Sequence, residues 1–464
     1  MRRGLQSLDS IDSNSLGLGR SSSGLAALET MMGRRRAIAL IGGAAAATLA
    51  VGSLAEAATG FAPASLAPSD EEFLDDLEKR ACFFFWEQAS PKTGQVLDRA
   101  RNDLKPGSRD PRKMASIAAT GFGLTALCIA DHRGFLPHAQ VVERVTTTLD
   151  WHLNHLHQEH GFYYHFTDIE TGAPFPGSEV SSIDTSLLLC GVLTARAYFD
   201  DPKIHSLATQ IYERVDWPWM LNGGATLSMG WFPMKGFLEA RWSHYCELMM
   251  IYLLAIGSPT HPVPPSAWNA WTRPTIEYAG FKYISGNDPL FTHQYSQAWF
   301  DFRYKHDSYA DYFANSILAT RAHKAFCLSM PKLYSEDYWG ISASDYEGGY
   351  TAWGGPPPQG PIDGTVVPNA AAGSLAFVPK DCLHVLQAMK DKWGKKAWGQ
   401  YGFADAFHPA AGWYDPDVLG IDQGISVIMA ENLRSGLIWE VFMRNPEAVD
   451  AMNKAGFASG AMKA

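Results

Sequence analysis

Nine consecutive apolar residues, 248–256, directly follow an acid, Glu247. A helix without a polar face has to be covered on every side, and residues 187–193 form a second such stretch. Amphipathic segments surround these two. Ser69 followed by Asp70, Glu71 and Glu72 reads as a capping box, with Phe73, Leu77, Ala81 and Phe84 on one face behind it. Further helices are expected near 114–131, 138–158, 183–199, 203–215, 237–256, 264–279, 309–328, 379–392 and 424–435. Wholly buried helices alternating with amphipathic ones imply two concentric layers. The expected fold is therefore all-α, an (α/α)6 toroid, with short β pieces in its loops at 161–168 and near 229–234.

The chain has 464 residues, 46% of them hydrophobic, so a large core is available. Nothing after residue 62 reads as a linker, which predicts one domain over 62–464. The formal charge of −10 is interspersed along the chain and repels polyanions, so no nucleic acid or acidic polysaccharide partner is expected. A neutral substrate is compatible with it. The six cysteines form no C-x-x-C pair and sit in apolar stretches, as free buried thiols would. Residues 1–33 are Ser/Gly/Leu-rich and read as a disordered extension. Arg34, Arg35 and Arg36 then precede a mildly apolar run to Leu54 and a small-x-small site at Ala55, Glu56 and Ala57. Residues 34–57 thus read as a Tat-type signal, predicting export by the Tat machinery to the periplasm or beyond. Gly42, Gly43, Thr48, Gly52 and Ser53 make the run a poor anchor, and no stable membrane span is expected.

Hydrolysis of a neutral glycosidic bond needs one carboxylic acid kept protonated and one carboxylate kept ionised. Apolar burial raises a carboxyl pKa and a helix N-terminus lowers it. Glu247, against the apolar run, occupies the first kind of address; a core Glu paired to Arg241 or Arg214 is the structural alternative. Asp184 and Asp422 each begin an apolar helix, where simple N-capping would also explain them. Parallel inner helices would gather both at one end of the toroid, with Glu179 close to Asp184. Two aromatic loops carry further acids: one has Asp345, Glu347, Tyr350 and Trp353, the other Asp405 and Phe407 followed by Trp413 and Tyr414. Such rings stack on sugars while neighbouring carboxylates take hydroxyls, although some will only pack the loops. His152, His155, His157 and His160 lack an acid or cysteine at zinc spacing, and no metal or cofactor is expected. No P-loop and no Gly-x-Ser-x-Gly elbow occurs.

Seven ordered segments resemble the bacterial glycoamylase-like proteins, which include endo-β-1,2-glucanases of glycoside hydrolase family 144. They are 161–168, 179–188, 247–262, 290–303, 339–345, 401–407 and 419–424, and the similarity covers about 70–464. The resemblance implies a six-hairpin glycosidase-like (α/α)6 barrel and an exported, inverting, endo-acting hydrolase without metal. It places Glu247 as general acid and Asp422 as base. Glu179, Asp184, His293, Trp299, Asp345, Tyr350, Asp405 and Trp413 are then expected to bind substrate, a neutral oligo- or polysaccharide. Ala404, where the family carries an aromatic residue, and the Tyr346–Glu347 turn depart from the pattern and bear on linkage. A transglycosylase, a hydrolase of another glucan, and a non-catalytic periplasmic glycan-binding protein are the competing expectations.

Overall fold

The computed structural model of the protein describes residues 66–286 and 289–460. The N-terminal extension and signal segment expected over 1–57 lie outside the described residues. Within them the chain is helix-rich: α1 (Pro68–Glu87), α2 (Ile117–His132), α3 (His138–Asn154), α4 (Ser182–Tyr198), α5 (Pro202–Glu213), α6 (Trp217–Leu221) and α7 (Met249–Gly257). The second half supplies α8 (Tyr295–Trp299), α9 (Tyr312–Leu328), α10 (Pro368–Ala372), α11 (Pro379–Ala397), α12 (Gly420–Arg434), α13 (Leu437–Phe442) and α14 (Pro446–Lys454). No helix among the described residues is long and apolar enough to cross a membrane.

The apolar patterns sort the helices into layers. All of α7 is buried, and α2, α4 and α12 are buried along almost their whole length. Amphipathic helices cover them: α1 packs on α2 and α12, α5 on α4, α3 on α5, and α14 on α7. The buried pair α2 and α4 makes the most intimate contact in the molecule. A Cβ on Gly191 would lie 2.0 Å from the Gly121 carbonyl oxygen, and one on Gly121 would lie 2.2 Å from that of Leu187. Only hydrogen fits between these two backbones.

One end of this layer is stitched together by short strands. Met114–Ser116, Val180–Ser181 and Asp417–Leu419 run directly into α2, α4 and α12. They pair antiparallel with Phe166–Asp168, Gly230–Phe232 and Arg99–Arg101. Further backbone bonds join the pairs: Asp98 N–H to Met114 O (2.9 Å), Gly420 N–H to Asp98 O (2.8 Å) and His165 N–H to Glu179 O (2.9 Å). Three buried helices therefore start side by side, and their N-terminal dipoles point at the same loops.

Three expectations need correction. The first helix starts at Pro68 with Ala67 as its N-cap and no side-chain cap, so Ser69 lies inside the first turn; Pro suits the first helical position because its missing N–H would be unpaired anyway. The helix expected over 237–256 is confined to α7, because a hairpin, Gly230–Phe232 with Gly236–Phe237, occupies its front half. Residues 264–279 form a 3-10 turn, Pro265–Asn269, and then the strand Thr275–Tyr278 paired with Phe281–Ile284. Ala279 and Gly280 turn that hairpin with φ of 50° and 82°, the double positive φ that suits the twist of a two-residue hairpin loop. The six cysteines are free and buried, as their apolar neighbourhoods indicated.

Candidate active site

The N-terminus of α4 carries one group of site residues. Ser181 caps the helix by accepting from Asp184 N–H (3.2 Å), and its hydroxyl also bonds the Asp184 carboxylate. Asp184 is thus the third residue of the first turn, not the cap itself. The imidazole of His165 stands between two acids, with Nδ1 3.4 Å from Glu179 and Nε2 3.4 Å from Asp184. Phe166 stacks on the same ring at 3.7 Å. All three polar residues are buried, so sequence reasoning paired Glu179 and Asp184 correctly but missed the histidine that joins them. His165 lies in a short alternating strand segment, where nothing local announces that its two nitrogens face two acids.

A larger group forms at the start of α12. Asp422 occupies its first turn, and the N-cap, Leu419, offers no side-chain bond. Asp405 lines one cavity with Asp422, and its Oδ2 accepts the Asp345 N–H (2.9 Å). Asp345 in turn pairs with Arg99, whose Nε reaches Asp98 at 3.0 Å. Asp415 brings a carboxylate oxygen within 4.8 Å of oxygens of Asp345 and Asp405, and its Oδ1 accepts the Asp417 N–H (3.0 Å). Arg112 bridges Asp110 and Asp417 at the rim.

This density of acids in a buried place holds protons. Burial, and then the charge of Asp422, drive the Asp405 carboxyl well above its ordinary range. Burial and the Asp345 charge push Asp415 up to about 8. Asp345 is raised mainly by burial, against the opposing pull of Arg99. Asp422 stands at a helix start, a position that favours negative charge.

Glu247 lies in the turn leading into α7 and is half-buried. Its carbonyl accepts from Ser296 Oγ (2.7 Å), and the same hydroxyl accepts the Met250 N–H (3.0 Å), so α8 holds this turn in place. The Arg241 guanidinium bonds Leu221 O and Thr226 Oγ1. His293 lies nearby in a closed aromatic pocket: its Nδ1 meets the Tyr245 hydroxyl at 3.1 Å, and burial lowers its pKa to about 3. It is a neutral imidazole at any ordinary pH.

The aromatic candidates divide. Trp299 is fully buried against Phe122, and its indole N–H is taken by Thr125 Oγ1 (3.0 Å). It packs the core and offers no face to a sugar, which corrects its place among the substrate-binding residues. Trp339 and Trp353 are equally buried. Tyr350 lies directly across a hairpin from Asp345 and is 3% exposed. Trp413, in the hairpin Phe407–His408 with Trp413–Tyr414, stays half-exposed two residues from Asp415.

Among the described residues, His165, Glu179 and Asp184, and likewise Asp345, Asp405 and Asp415, each bring three potential ligand atoms within 4.8 Å of one another. Arg99 already supplies the compensating cation for the second set.

Residues 239–446 match the Glycoamylase family model. Glu247, Asp345, Asp405 and Asp422 fall within the matched residues, while Arg99, His165, Glu179 and Asp184 precede them. The chain is 28% identical over 428 residues to an exo beta-1,2-glucooligosaccharide sophorohydrolase (non-reducing end) of Parabacteroides distasonis. That alignment covers 83% of this chain and 58% of the relative, so the chain spans less than two thirds of its length. Among solved structures it resembles an endo-beta-1,2-glucanase from Chitinophaga pinensis in complex with sophorotriose and glucose, at 29% identity and a TM-score of 0.78. This similarity covers 85% of this chain and 99% of the other. A beta-1,2-glucanase from Parabacteroides distasonis is 26% identical with a TM-score of 0.77, over 83% of this chain and 60% of that one.

Proposed function

We propose that this chain is an exported glycoside hydrolase that cleaves β-1,2-glucan on an (α/α)6, six-hairpin barrel spanning 62–464. The observation that carries the reading is the Asp345–Asp405–Asp415–Asp422 cluster at the start of a buried helix. It sits in a glycoamylase-like domain that resembles an endo-beta-1,2-glucanase over that enzyme's full length. Glu247 acts as general acid and protonates the departing glycosidic oxygen. Asp422 acts as base and takes a proton from the water that attacks the anomeric carbon from the opposite face, with inversion. The dipole at the start of α12 favours the ionised form of Asp422 for that task.

Glu179, Asp184 and the bridging His165 offer acceptors and a donor to sugar hydroxyls, and Trp413 offers a ring face. Export rests on the twin arginines at 34–36 and the apolar run behind them, and needs the Tat machinery. Endo action is favoured by the near-complete overlap with the Chitinophaga pinensis glucanase. The sophorohydrolase relative supports exo action as the second reading.

Product analysis of the protein from about residue 58 decides between them, with linear β-1,2-, β-1,3- and β-1,4-glucan and starch as substrates. A ladder of β-1,2-oligosaccharides marks endo cleavage, and disaccharide alone marks exo. Products longer than the substrate would mark transfer. Absence of product from β-1,2-glucan, or full turnover by Glu247→Gln, would overturn the proposal.

A further inference from the structure

The one-turn helix α10 is held rigidly from several sides. Val367 N–H donates to Gly340 O (2.9 Å), Gly373 N–H donates to Asn369 O (2.7 Å), and Gln294 Nε2 donates to Ala370 O (2.9 Å) and Ser374 Oγ (2.8 Å). Gln294 directly precedes α8, whose Ser296 clamps the turn of Glu247. One rigid connection therefore links the proposed acid to the wall beside the proposed base.

Asn369, on α10, is 7% exposed, and neither end of its carboxamide finds a hydrogen-bond partner among the described residues. Buried amides are almost always paired, and an apolar side chain of the same shape would avoid the cost of burying one unpaired. Asn369 lines a cavity of about 20 Å³ together with Asp405, Asp422, Gln423 and Ser426. That is room for about one water. Gln423 and Ser426 are already committed, to Phe403 O (3.3 Å) and to Asp422 O (2.7 Å). The acids lining the cavity beside the amide are Asp405 and Asp422.

We infer that Asn369 binds the hydrolytic water beside Asp422. A carboxamide both donates and accepts, so it fixes the water by one bond and leaves a water proton directed at the carboxylate. The arrangement acts on the attacking water and not on the sugar, so it contributes to turnover and leaves glucan affinity alone. The inference rests on the reading of Asp422 as base.

The test compares Asn369→Leu and Asn369→Ser with Glu247→Gln on β-1,2-glucan, with thermal unfolding of each. Asn369→Leu keeps the volume and removes both polar ends. The expected result is a fall in kcat of about 30-fold or more, with KM within about twofold and the unfolding temperature unchanged or raised. Asn369→Ser, which restores a donor and an acceptor, recovers part of kcat. Wild-type kcat in Asn369→Leu, or a raised KM with kcat kept, overturns the inference. So does a fall in kcat that is matched by lost thermal stability and not rescued by Ser. If wild type is active while Asn369→Leu is fully active too, the water site alone is wrong; if Glu247→Gln is active, the assignment of Glu247 as acid has failed, and if wild type yields no product from β-1,2-glucan, the hydrolase reading itself has.

Discussion

Asp415→Asn isolates the energetic cost of crowding acids around Arg99. The amide keeps the acceptor for the Asp417 N–H and a donor toward Asp345, yet it cannot ionise. In the wild type the folded-state pKa is about 8 and the ordinary value 3.8. The folded protein thus holds this proton to higher pH than the unfolded chain does. The stability it confers is complete below about pH 4, declines as pH rises, and is lost once pH passes the folded value. At about 1.36 kcal/mol per pH unit, the decline reaches about 4 kcal/mol by pH 7. Asp415→Asn removes this slope. Urea unfolding at pH 5, 6, 7 and 8 should give a mutant whose advantage over wild type grows by about 1.4 kcal/mol for each unit. Parallel pH dependences in the two proteins would show that Asp415 does not hold its proton, and would refute the account of the cluster.

Three further perturbations follow from the same geometry. Arg99→Met strips the buried counter-ion from Asp98 and Asp345 and should destabilise by about 3–5 kcal/mol at pH 7. The loss should shrink toward acid pH as the acids protonate, and denaturation at two pH values checks it. Gly191→Ala drives a methyl into the Gly121 carbonyl, where no side chain can swing away, and should cost about 3 kcal/mol or more by chemical denaturation; a change within experimental error would mean that α2 and α4 can separate. Trp299→Phe should lower stability by about 1–3 kcal/mol through lost packing and the lost bond to Thr125, with KM unchanged. A raised KM would restore Trp299 to the substrate surface.

The sequence by itself determined the helices with no polar face, because burial on every side leaves a stretch with no polar residue to read. It also put Asp184 and Asp422 at helix starts, since each position follows from where a local apolar pattern begins. Proline-rich 264–279 misled, because its Trp and Ile spacing fits a helix until the Ala279–Gly280 turn decides otherwise. Trp299 entered the substrate-binding set only through the family resemblance, which gives no sign of which way its ring faces. Only tertiary structure decided which acids meet. Arg99 reaches Asp345 across 246 positions, and His165 joins two acids whose helix is paired to its own strand through Val180. Those meetings depend on three helix starts being laced into one surface, and that lacing is set by backbone hydrogen bonds, which every residue but proline can donate and which therefore leave no mark in side-chain sequence.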